Sequence, residues 1–111
     1  MYSVASALTA AQVPGARGAW RAVSARQTPD RYCAYVYSRA PVWPHDDGDQ
    51  FTRIRAYLHL YDRSDPTAAQ AAIDTAMRAQ GYRLLSQDEA YDKDADYYEV
   101  LSEWEAIKHG V

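Results

Sequence analysis

Cysteine is almost absent. Cys33 is the only one, so one chain can form neither an internal disulfide nor a multi-thiolate metal site, and a reducing compartment fits best. The short signatures that carry a mechanism are missing too: there is no Gly-rich phosphate loop, no G-x-S-x-G, no H-E-x-x-H and no cysteine pair. Basic runs are absent. The twelve Lys and Arg are scattered through a chain of net charge -3, which excludes the electrostatic footprint of a sequence-specific DNA reader. Long apolar runs are absent as well. The opening "MYSVASALTAAQVPGA" is too small and too weakly apolar to span a membrane and has no basic segment before it, so the chain is expected to be made in the cytosol with no membrane contact. Phenylalanine occurs once, against ten Tyr and three Trp. That choice favours rings with one polar end, suited to half-buried strands and interfaces.

What remains is the composition of one soluble domain, with 111 residues, 48% hydrophobic and 24% charged. Residues 2–12 place Val4, Ala7, Leu8 and Ala11 at helical spacing, and "VPG" ends that helix. "GAWRAV" (18–23) reads as a strand followed by a turn at "TPD". "RYCAYVYS" (31–38) reads as a strand with both faces at least partly covered, and "RAPVWPHDDGDQ" (39–50) as a long projecting loop. In "FTRIRAYLHLYDRSDP" (51–66), Ile54, Ala56, Leu58 and Leu60 take one side of a strand, while Arg53, Arg55, Tyr57, His59 and Tyr61 take the other. A helix follows, capped by Ser64 or Asp65, with Pro66 in its first turn and Gly81 just past its end. Its buried stripe is Ala69, Ile73, Ala76 and Met77. "YRLLSQ" (82–87) reads as a short strand, "DEAYDKDAD" as a polar hairpin or loop, and residues 97–107 as the last strand. There Tyr98, Val100, Trp104 and Ala106 share one face and Glu99, Glu103 and Glu105 the other. The expected fold is α+β: a mainly antiparallel four- to five-stranded sheet with two helices packed on one face.

Each chemical candidate has a plainer reading. His45 with Asp46, Asp47 and Asp49 suits a hard cation in residue type, but the loop lacks the alternating ligands and terminal Glu of a calcium site. Cys33 with His59 would make a nucleophile and base only in an electropositive pocket, which nothing in the sequence identifies. Three like-charged Glu on one stripe do not make an acid and base pair. Trp20 and Trp104 read as core and Trp43 as exposed. The Arg, Tyr and His face of residues 53–61 has two readings: pairing across the sheet with the glutamates of the last strand, or docking against a second copy of the chain.

Taken in order, "AYVY", the Pro- and Asp-bearing loop, "YLHLYDRSDP", "AAQAAIDTAMRAQGY" and "YDKDADYYEVLSEWEAI" resemble the small tail-completion proteins of long-tailed bacteriophages. The resemblance spans residues 13–107. It implies a tail terminator, a non-enzymatic virion protein of the tail neck, assembled in the host cytoplasm without a cofactor. Such a protein forms a ring, commonly a hexamer, on the last ring of the major tail tube protein and offers a surface to the head connector, with DNA passing through its lumen. Under that reading Trp43, His45, Arg53, Arg55, Tyr57, His59 and Tyr61 form the ring or partner interface. Asp46, Asp47, Asp49, Glu99, Glu103 and Glu105 would supply an acidic lumen. A head-completion or stopper protein has similar size and the same lack of catalytic motifs, and a small dimeric α+β ligand-binding domain or enzyme is the alternative from another class. The Ala-rich helix and "RGAWRAVSAR" depart from the group's pattern.

Overall fold

The computed structural model describes residues 1–18, 29–42 and 51–109. Among the described residues, two helices and five strands follow in the order α1 (Val4–Ala10), β1 (Gly15–Arg17), β2 (Arg31–Val42), β3 (Phe51–Asp62), α2 (Thr67–Ala79), β4 (Arg83–Asp92) and β5 (Tyr97–His109). The strands form one mixed sheet in the order β1-β2-β3-β5-β4, with β1 parallel to β2 and the other three pairings antiparallel. The fold is therefore α+β, as the sequence predicts, with one parallel pair added at an edge.

Both helices bury their apolar sides against the same face of the sheet. Val4, Ala7 and Leu8 of α1 and Ala69, Ile73 and Met77 of α2 share one core with Cys33, Ile54, Ala56, Leu58, Leu60, Val100, Trp104 and Ala106. Trp104 lies at the centre of this core, fully buried, and its indole N–H donates to the buried Ser102 Oγ at 2.9 Å. Each large side chain so buried stabilises the fold by about 1.5–3 kcal/mol, the dominant favourable contribution. On β3 the two-residue period works as read: Ile54, Ala56, Leu58 and Leu60 are all at most 2% exposed.

Local chemistry fixes the ends of the helices. Ser3 caps α1 by accepting from the Ser6 N–H at 3.1 Å. The N-cap of α2 is Pro66, with no side-chain cap bond, and not Ser64 or Asp65 as read; Asp65, one residue earlier, still accepts from both the Thr67 N–H (2.9 Å) and the Thr67 hydroxyl (2.6 Å). Gly81, with φ of +98°, turns the chain away after α2; an added Cβ would also meet the Tyr2 ring at 2.9 Å. The start of the chain is stapled there, since Tyr2 N–H donates to the Gln80 carbonyl (2.9 Å) and the Tyr82 hydroxyl donates to the Tyr2 carbonyl (3.1 Å). Gly15 allows β1 to cross close over α1, where a Cβ would stand 2.6 Å from Leu8 Cδ1.

Three expectations need correction, and a fourth lies outside the described residues. The strand read at 18–23 lies outside the described residues apart from Gly18, while the short β1 occupies 15–17, in part where a breaker was read. β2 runs on through Pro41 to Val42, so the first part of the expected loop is strand, and only residues 43–50 separate β2 from β3. Coverage of both faces of β2 holds for Tyr32 and Ala34, which are half-buried, but not for Val36, which is 49% exposed. β4 extends to Asp92 instead of ending at residue 87, and the polar hairpin read over 88–96 is the end of β4 with a turn of residues 93–96 leading into β5. The turn is held by Asp92, which accepts from the Asp94 and Ala95 N–H groups, and by Asp96 at φ 58°. β4 gave no apolar alternation because nearly all of its residues are exposed.

Candidate functional site: the uncovered face of the sheet

Among the described residues, the second face of the sheet carries no helix. The register sets its rows across β2, β3 and β5: Ser38, Arg55 and Glu105; Val36, Tyr57 and Glu103; Ala34, His59 and Leu101; Tyr32, Tyr61 and Glu99. The five β3 residues read as an interface therefore share this face with the three glutamates read as a lumen lining. They are not two surfaces.

At one end the face is an ion-pair ladder. Glu105 is 6% exposed and lies between three guanidinium groups, with Arg83 at 2.6 Å, Arg53 at 3.2 Å and Arg55 at 3.7 Å. Its carboxyl is held below the usual range, chiefly by the hydrogen bond from Arg83 and then by the charges of the three arginines. Glu103 stands 3.6 Å from Arg55. Cross-strand pairing, the plainer of the two readings, is thus present.

At the other end the face is an aromatic stack. Tyr61 lies between Tyr32 (centroids 4.7 Å apart) and His59 (4.2 Å), and Tyr97 meets both tyrosines edge-on. The Tyr61 hydroxyl is 3.0 Å from His59 Nδ1, and His59 Nε2 is 3.5 Å from Glu99. Burial, followed by nearby tyrosine and glutamate charge, pushes the Tyr32 and Tyr61 hydroxyls up, so neither is an activated phenolate. Tyr97 donates to the Pro29 carbonyl at 2.8 Å and lies under the Arg63 guanidinium. Several of the ten tyrosines are thus used inside the fold, more than their number in the sequence implied.

Between the two ends is an apolar patch. Val36 (49% exposed) lies directly beside Tyr57 (37%), with Leu101 (48%) one row along on β5. Ile107, opposite Arg53, is exposed at the ladder end. Val36, Leu101 and Ile107 were missed by the reading of the sequence. The signal was available, because Leu101 and Ile107 have the same parity as the three glutamates.

Two other candidates resolve by position. Cys33 and His59 are on neighbouring strands but opposite faces, since His59 is paired with Ala34. Cys33 is completely buried, which pushes its thiol up to about 12 against a weaker opposing contact from the His59 backbone, so no nucleophile and base pair exists there. Tyr98 is on the helix side of β5 as read but is 39% exposed, tilted against Tyr91 at 4.9 Å. Trp20, Trp43, His45, Asp46, Asp47 and Asp49 lie outside the described residues. Asp62 is a polar core residue that periodicity did not reveal: 2% exposed, it accepts from Arg31 at 2.6 Å and from the Ser64 N–H and hydroxyl at 2.9 and 3.0 Å. No protein-family model matches this chain, and no curated protein sequence is significantly similar to it.

Proposed function

We propose that this chain is the subunit of a homo-oligomeric ring, the tail terminator of a long-tailed bacteriophage, and that the uncovered face of its sheet is the surface that assembly covers. The carrying observation is Val36, Tyr57 and Leu101, three adjacent apolar side chains left 37–49% exposed in the middle of a five-stranded sheet. A small domain gains nothing from exposing them, and contiguous exposed apolar surface with a polar rim is characteristic of a docking site. The rim is supplied by the Arg53, Arg55, Glu103 and Glu105 ladder on one side and the Tyr32, His59 and Tyr61 stack on the other. Both are pre-organised within the subunit, which reduces the entropy lost when a partner binds. The order of elements that resembles tail-completion proteins supplies the slot: the end of the major tail protein tube, below the head connector.

The test is to polymerise the major tail protein of a long-tailed bacteriophage that carries this chain, with and without it, and to image the tubes by electron microscopy. The proposal expects a ring at one tube end and arrested growth, with both lost on Tyr57→Ser. Tubes of unchanged length with bare ends would overturn it.

A further inference from the structure

We infer that neighbouring copies join edge to edge, the acidic β4 edge of one against the basic β1 and β2 edge of the next; this rests on the ring reading above and specifies its contacts. Residues 83–96 contain five carboxylates against Arg83 and Lys93, a surplus equal to the whole chain's net charge of -3. Arg83 is itself spent on Glu105. Asp88 and Glu89, both exposed, form no ion pair among the described residues. At the opposite edge Arg17 and Arg39 are also exposed and unpaired in the same sense, resting on the Tyr37 ring with their guanidinium carbons 4.5 and 5.5 Å from its centroid. Among the described residues, the middle of the sheet is paired internally by the Arg and Glu ladder, while its two edges carry unpaired charge of opposite sign.

Geometry favours the same pairing. β4 is ten residues long, and its outer side pairs with no described residue, leaving a row of backbone donors and acceptors free. Two β4 edges would bring Asp88 and Glu89 against their own copies, a like-charge contact that disfavours a symmetric dimer. The basic edge has the complementary sign. By register Glu89 lies opposite Val100, Arg39 opposite Ile54 and Arg17 beside Tyr35, so all three are on the helix side of the sheet and meet when two sheets abut in one plane. Because the joined edges differ, the contact is head-to-tail, which builds a ring when the rotation closes. It also leaves the uncovered face free for the tube.

The experiment uses light scattering on the full chain across a concentration series at low salt. The variants are an acidic-edge reversal (Asp88→Lys with Glu89→Lys), a basic-edge reversal (Arg17→Glu with Arg39→Glu) and the chain carrying all four. The wild type is expected to self-associate. Each reversal should weaken association by about a hundredfold, and both an equimolar mixture of the two reversals and the fourfold variant should recover it. Recovery also shows that each reversed edge folds. Association unchanged in either reversal, or lost and not recovered in the mixture, overturns the edge contact but leaves the ring reading standing. A wild type that stays monomeric both free and with tail tubes overturns both.

Discussion

The two faces of the sheet are built from the same strands and differ in almost everything else. On the covered side, Ile54, Leu58, Leu60, Val100, Trp104 and Ala106 are at most 3% exposed and chemically alike. On the uncovered side one residue along, cations, anions, aromatic rings and exposed aliphatics alternate within the same rows. The first face is mostly hydrocarbon, with Ser102 and Asp62 as its satisfied polar groups, and it secures the fold. The second face has fixed pairings, which secure a pattern that another molecule can read. The face that secures the fold and the face proposed for docking are thus separated by a single step along the chain.

The sharpest way to break this comparison is one substitution made on both sides. Leu58→Lys places an unpaired charge in the core beside the buried Ser102 and should abolish cooperative unfolding by circular dichroism. Next in size is Asp62→Ala. It removes the carboxylate that holds Arg31 and the Ser64 turn, and should cost about 2–4 kcal/mol in a urea titration. Asp62 belongs to the covered side by parity, so its loss shows how much of that side's stability depends on one satisfied polar group.

These two residues also mark what the sequence makes legible. Leu58 announces itself by alternation, and α2 by Pro66 and Gly81, because those signals are local. Asp62 does not, since its burial depends on Arg31, thirty-one residues away. β1 was unreadable for the same reason: three residues are a strand only because β2 lies beside them. β4 was cut short because an edge strand exposed on both sides has no apolar period to read. The Arg and Glu ladder could be foreseen as a pairing but not as the three-arginine environment of Glu105, which requires β5 to lie between β3 and β4. The apolar patch was hidden by its neighbours, as Leu101 and Ile107 lie among glutamates.

The ladder can be tested by acid. Glu105 is depressed below its ordinary 4.5 in the fold, so its contribution is complete above that value and is lost as pH falls through the lower folded value. Urea midpoints should therefore fall as the pH drops below about 4.5, and Glu105→Gln should make that slope shallower. Asp65, lowered by its bonds from Thr67, acts in the same direction, so some slope should remain. A slope identical in wild type and variant would mean that the ladder holds nothing at neutral pH.

The smallest expected effect is the most informative. Leu101→Lys repeats the core substitution on the uncovered side, where Leu101 is 48% exposed and directly opposite Asp88, with Glu99 and Glu103 two residues away on the same strand and face. The isolated subunit loses little buried hydrocarbon and gains a cross-strand ion pair, so its stability should change by less than about 1 kcal/mol in either direction. Under the proposed function, binding to tail tubes should weaken, because the lysine interrupts the patch formed with Val36 and Tyr57. If Leu101→Lys unfolds the subunit as Leu58→Lys does, that face is covered within the monomer and the division between the two faces fails. If the variant folds and still caps tubes as tightly as the wild type, the patch is not where the tube docks.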